Sequence, residues 1–184
     1  VKVTGAYSNN MGDALSQKIV SVSKPIAGGY IFGTGEVTNT SSSGYIMGQS
    51  GLTTDYEFDI QYTKSGTNPK GKVTVFVRSM YTKQGLLDSK LHTYIITTNA
   101  IALLNVGTPL ATGTFSAKAN LVEQIGDGES VPFSTVAIEG GSTFQMTASQ
   151  NGCNQQIAIT LSRKAGGVWF SSKWNATKAS SDLQ

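Results

Sequence analysis

His92 and Cys153 are the one histidine and the one cysteine in 184 residues, and they bound the chemistry this chain can do. A nucleophile–base pair needs a base, and a zinc site needs several Cys or His ligands. His92 lies in Lys90–Thr98 (KLHTYIITT), where alternation sets it with Tyr94 and Ile96 and against Leu91, Thr93 and Ile95. It reads there as a strand residue rather than a base. No G-x-S-x-G elbow, H-E-x-x-H pair, Walker loop or dinucleotide fingerprint occurs. Cys153 can form no intrachain disulfide and has no cationic sequence neighbour, so it reads as a small hydrophobe. Two carboxylates would suffice for a glycosidase, but the 11 acidic residues fall mostly in turns or on strand faces, where solvation explains them. The expectation is a protein without catalytic activity and with no required cofactor.

Calcium is the one ion the remaining residues could hold, because it takes only oxygen ligands. Gly126-Asp127-Gly128-Glu129 sets two carboxylates at alternate positions of a glycine-rich turn, and Asn9-Asn10-Met11-Gly12-Asp13 is a weaker cluster. Asp127, Glu129 and Asp13 are therefore the candidate calcium ligands, although no twelve-residue EF-hand loop is present. Trp169 and Trp174 are the candidates for stacking on a sugar. Their spacing of five places them on opposite faces of a regular strand, so at least one belongs to the core. Asn39-Thr-Ser41 and Asn175-Ala-Thr177 fit the N-x-[ST] glycosylation pattern.

The elements that must position these groups are strands. In Asp55–Ser79, Tyr56, Phe58, Ile60 and Tyr62 alternate with Glu57, Asp59 and Gln61, and Val73, Val75 and Val77 resume the alternation after Lys64-Ser-Gly-Thr-Asn-Pro-Lys-Gly71. That is a β-hairpin with one apolar face per strand. Similar runs occupy Gly28–Gly33, Tyr45–Met47, Lys90–Thr98, Ile101–Val106, Ala111–Gln124, Gln155–Arg163 and Val168–Asn175. Val131–Ile138 and Thr143–Ser149 read as a second hairpin about Gly140-Gly141. Ten or eleven short strands predict an all-β antiparallel β-sandwich, jelly-roll-like. Hydrophobic content of 39% with 14% charged residues fits one wet face per strand and excludes a helical bundle. Met11–Lys18 is the only helix candidate. The net charge of +3 is scattered singly, without the basic stripe of a nucleic-acid partner. No apolar run reaches the roughly 18 residues of a membrane-spanning helix.

Three segments follow: an arm over 1–24, a β-sandwich domain over 25–175, and a polar tail over 176–184. The arm is strand-competent at Val1, Val3, Ile19, Val20 and Val22, and could add to the open edge of a neighbouring copy. Folding back onto its own sheet is the other outcome. A donor and an acceptor surface that differ give a head-to-tail contact, which builds a filament where the rotation does not close.

Gly28-Gly29-Tyr30-Ile31, the Asp55–Tyr62 run, Asn68-Pro69-Lys70-Gly71-Lys72-Val73, Leu91-His92-Thr93 and Ala111-Thr112-Gly113-Thr114 follow one another in an order that resembles the post-choice-of-anchor β-domain of bacterial surface proteins. That family shows a G-G-G-x-I start, an F-G-F strand, a P-K-G turn and a V-H-G-T segment, and the likeness covers Ala27–Ile138. This chain has Ala27 in the first glycine triplet, Glu57-Phe58-Asp59 in place of F-G-F, and Thr93 after the histidine. The resemblance implies a non-enzymatic extracellular β-sandwich module and supplies no catalytic residue. The expected protein is a secreted structural subunit that polymerises with itself through Val1–Lys24. The alternative is an adhesive or carbohydrate-binding module of a larger cell-surface protein.

Overall fold

The computed structural model describes residues 27–107, 112–126, 128–129, 131–151, 154–172 and 175–179. Ten strands follow one another: β1 (Tyr30–Thr38), β2 (Ser42–Ser43), β3 (Thr53–Gln61), β4 (Lys70–Tyr81), β5 (Leu87–Gly107), β6 (Thr112–Ile125), β7 (Ser134–Asn151), β8 (Asn154–Ser162), β9 (Val168–Ser172) and β10 (Asn175–Ala179). The hairpin expected at Asp55–Ser79 is β3–β4, paired without a break from Thr54–Val77 to Gln61–Lys70. Its odd-even pattern is the reason. Tyr56, Phe58, Ile60, Val73, Val75 and Val77 are all buried, while Glu57, Asp59 and Lys72 face water.

All ten strands belong to one antiparallel sheet in the order β10-β1-β3-β4-β5-β6-β7-β8-β9-β2. The sheet is curled into a half-barrel, and its margins are joined by short pairings. Gly35–Ala179 and Glu36–Lys178 join β1 to β10, and Ser42–Ser172 and Ser43–Ser171 join β2 to β9. These four pairs share one register, so β1 and β2 run beside β9 and β10 as a single interrupted seam. β10 also pairs with β8 at Asn175–Ile157. The all-β antiparallel expectation holds; the strands form one curled sheet rather than two stacked ones. A sandwich and a curled sheet bury the same alternate residues, so the period alone does not separate them.

The apolar face folds onto itself. The rings of Phe58 on β3, Phe115 on β6 and Phe144 on β7 follow at centroid distances of 6.0 and 5.9 Å. β3 and β6 are not neighbours in the sheet, so that contact crosses the interior. Tyr62 Oη donates to the Leu104 carbonyl at 2.8 Å, linking the end of β3 to β5. Tight packing of side chains fills the space enclosed, as in small barrels.

Several expected boundaries move. The two runs in 90–106 are one strand of 21 residues, β5. Its pairing to β6 shifts between Thr98 and Ala100, and Thr98 Oγ1 accepts the Val73 N–H at 2.9 Å near that shift. Gly140-Gly141 is not a turn, because β7 runs through it as an irregularity opposite β6. Gly141 adopts a φ of 71° there, a left-handed angle that glycine tolerates best, and its N–H donates to Asn120 Oδ1 at 3.1 Å. The short strand expected at Tyr45–Met47 lies instead at Ser42–Ser43. Strand pairing continues to Ala179, beyond the expected domain end at residue 175. No helix among the described residues is long and apolar enough to cross a membrane.

Candidate functional site

The margin of the sheet at β1 is built by the alternation of Tyr30, Ile31, Phe32 and Gly33. Ile31 and Gly33 turn inward and are buried, and Tyr30 and Phe32 turn to solvent. Every residue of β1 pairs with β3, from Tyr30–Gln61 to Thr38–Thr53. On its other side β1 meets β10, among the described residues, at Gly35 and Glu36. The stretch Tyr30–Gly33 of that edge has no strand partner among the described residues. Tyr62 N–H donates to the Gly29 carbonyl at 2.8 Å. The alternation of an antiparallel ladder then turns the backbone groups of Tyr30 and Phe32 away from β3 and towards this edge. An edge of this kind is a template for another strand.

The same two residues carry an exposed aromatic pair. The Tyr30 and Phe32 rings lie at a centroid distance of 6.0 Å with planes 9° apart, and they keep 45% and 37% of their surface exposed. Asp59 and Gln61 stand beside them on β3, opposite Phe32 and Tyr30. At the other end of β1, Asn39 is 2% exposed and its Oδ1 accepts from Thr54 Oγ1 at 2.8 Å. Its Nδ2 has no hydrogen-bond partner, a defect that costs about 1–3 kcal/mol when the group is buried. Asn39 lines a cavity of about 400 Å³ at the β1–β3 connection. The burial of its amide withholds this asparagine from glycosylation in the folded state.

Two polar clusters occupy the opposite half of the sheet. His92 Nδ1 lies 2.6 Å from Glu123 Oε1, and Nε2 lies 3.2 Å from Asp88 Oδ2. The Lys90 N–H, then the Ser89 N–H and His92, hold the Asp88 carboxyl below its ordinary value against a smaller opposing effect of burial. Burial, with Glu123 and Asp88 nearby, pushes the Tyr94 hydroxyl well above its ordinary value, and that hydroxyl donates to the Tyr81 carbonyl at 2.8 Å. The His92–Glu123 contact ties β5 to β6.

The second cluster closes the seam. Trp169 Nε1–H donates to Glu139 Oε1 at 3.0 Å, which also accepts from Ser142 Oγ and, at 3.1 Å, from the Lys164 N–H. Burial pushes the Glu139 carboxyl up, but these three donors and the Lys164 charge together hold it below its ordinary value. The Arg163 guanidinium lies 3.9 Å over the Tyr45 ring and 4.7 Å over Trp169. Its Nε is buried without a hydrogen-bond partner, so the two rings are what it rests on.

Of the residues singled out from sequence, Trp169 is 6% exposed and takes the core position that the five-residue spacing requires of one of the two tryptophans. Its ring is covered by Arg163 and Tyr45 and leaves no free face for a sugar. Glu129 is exposed in the β6–β7 turn. Among the described residues, no three of His, Cys, Asp and Glu are placed to hold a metal ion. Asp127, Asp13, Trp174, Cys153 and the arm residues Val1, Val3, Ile19, Val20 and Val22 lie outside the described residues, as does the helix candidate Met11–Lys18. Asn175 is the first residue of β10. Sequence reading missed the Tyr30–Phe32 pair, although their shared parity against Ile31 carried the signal. It had no means of finding the Asn39 cavity, which the β1–β3 connection forms with Tyr81 at the end of β4. Compared with known proteins, the chain matches no family model, no curated protein and no solved structure.

Proposed function

We propose that this chain is a secreted, non-enzymatic structural protein whose copies join into an extracellular filament, tube or surface layer by β-strand addition. The observation that carries this reading is the Tyr30–Gly33 edge of β1, which offers backbone groups with no described strand partner. The arm Val1–Lys24 is the donor. Laid along the edge of the next copy, it gains main-chain hydrogen bonds, and its apolar side chains Val1, Val3, Ile19, Val20 and Val22 supply contacts beside the ladder. The contact is head-to-tail, which propagates rather than closes. Calcium at Asp127, Glu129 and Asp13 would reinforce such an assembly. The resemblance to the post-choice-of-anchor domain and the charge-poor, Thr- and Ser-rich composition agree with an extracellular setting.

Electron microscopy and light scattering of the full chain, with and without calcium, test it against a chain lacking Val1–Lys24. Filaments or sheets from the full chain and folded monomers from the truncated one are expected. Equal assembly by both chains, or monomers from the full chain in both conditions, overturns the proposal.

A second reading, an adhesive or carbohydrate-binding module, is favoured by the exposed Tyr30–Phe32 pair with Asp59 and Gln61 beside it. Near-parallel aromatic faces suit the apolar faces of sugar rings, with polar neighbours to orient hydroxyls.

A further inference from the structure

The cavity beside the β1–β3 connection is walled by neutral polar groups, and we infer that it is a binding site for a neutral saccharide. This rests on the second reading above, in which the module binds glycans, and not on how copies assemble. Asn39, Ser41, Ser42, Gln49 and Ser50 line the cavity, with Tyr81 as its aromatic wall. Among the described residues, no Asp, Glu, Lys, Arg or His lines it, so a phosphate, a carboxylate or a metal ion would enter without a counter-charge from them. Hydroxyls and amides both donate and accept, as the hydroxyls of a sugar do. An apolar guest would strip water from these groups and return no hydrogen bond. The volume of about 400 Å³ falls within the ~300–1,000 Å³ of small-molecule sites.

Asn39 is the independent sign of a ligand. Its side chain is buried and fixed by Thr54, yet Nδ2 donates to nothing. The amide lies against Gly48, which also lines the cavity, and a Cβ added at Gly48 would come within 2.6 Å of Cγ and Nδ2. Glycine at 48 therefore leaves the amide room beside the cavity. A fixed donor in a neutral, hydroxyl-rich wall selects an acceptor that carries no charge.

Amide proton–nitrogen spectra of the full chain, titrated with glucose, galactose, mannose and N-acetylglucosamine, test the site, with glucuronate and glucosamine as charged controls. Saturable shifts in residues 39–50 and at Tyr81 are expected for at least one neutral sugar, with weaker binding of both controls. Gln49→Ala and Ser50→Ala should each weaken binding roughly fivefold, the loss of one hydrogen bond, with the spectrum otherwise kept. Tyr30→Ala and Phe32→Ala, whatever they change at their own surface, should leave the saturable shifts in residues 39–50 and at Tyr81 in place. Asn39→Ala is a poor sole test, since it also removes the acceptor of Thr54. The inference is overturned if no sugar gives saturable shifts, if the shifts lie elsewhere, or if glucuronate binds as well as the neutral sugars. Glycan binding abolished by Tyr30→Ala but untouched by Gln49→Ala and Ser50→Ala would keep the second reading and remove the cavity from it.

Discussion

The wall β3–β4–β5 and the seam where β1 and β2 meet β9 and β10 are held by different physics. In the wall, β3 and β4 pair in one unbroken register, and every second side chain is buried. In the seam four residue pairs join the margins among the described residues, in two separate patches. Backbone donations of Tyr45 to Val168 and Ile46 to Trp169, at 3.1 and 2.9 Å, add to them. The rest of the closure depends on side chains: Glu139 gathers three donors, and Arg163 stacks on Tyr45 and Trp169. A wall made by repetition tolerates local damage to its polar groups, because its stability is spread over many apolar contacts. A seam made by a few groups concentrates its stability in them. It is also the place where a foreign strand meets the least competition, which is why the β1 edge carries the proposed function.

The largest expected effect tests the wall. Phe58 is buried between Tyr56 and Phe115, and Phe58→Ala should cost about 3–5 kcal/mol in urea unfolding. A loss below about 1 kcal/mol would mean that the interior collapses around the gap and that the wall does not hold the fold. Glu139→Ala comes next, at about 1–3 kcal/mol, because it leaves the donors of Trp169, Lys164 and Ser142 without their acceptor. If both variants unfold in the same single transition, the seam and the wall are one cooperative unit. An early phase in the Glu139 variant alone would separate them.

Acid should act on the polar clusters first. The Glu139 and Asp88 carboxyls both sit below their ordinary values of 4.5 and 3.8 in the folded protein, so on acidification the unfolded chain takes up protons first. Their contribution is present above those ordinary values and is lost as pH falls through the lower, folded ones. Unfolding midpoints should therefore show no loss from these two groups down to their ordinary values and a drop below them, and Glu139→Gln should flatten part of that drop. An unchanged slope in that variant would take Glu139 out of the acid response. The smallest effect belongs to Arg163→Met, which keeps the bulk over Tyr45 and Trp169 but removes the charge, and should cost about 0.5–1 kcal/mol.

Much of the wall was legible beforehand, and the reasons are local. Tyr56, Phe58, Ile60 and Tyr62 announce their face by period, and Lys64–Gly71 carries its own turn residues. The Gly140-Gly141 pair misled for a physical reason. Two glycines suit a turn and a bulge equally, and only the presence of Asn120 across the ladder makes this site the second. The margins were harder still. Ser42, Ser43, Ser171 and Ser172 have no apolar pattern, and nothing near them in the chain points to a partner more than a hundred residues away.

Alternation along the chain determined that this protein is antiparallel β and which residues make its core. Those properties depend on the direction in which successive side chains point, which each strand decides by itself. The tertiary structure decided that the sheet curls until its margins meet, that Trp169 lies under Arg163, that Asn39 is shut in with an unused donor, and that Tyr30–Gly33 of the β1 edge has no strand partner among the described residues. Each of these is a meeting of residues distant in sequence, set by how far the sheet twists and closes, and a period of two carries no record of that.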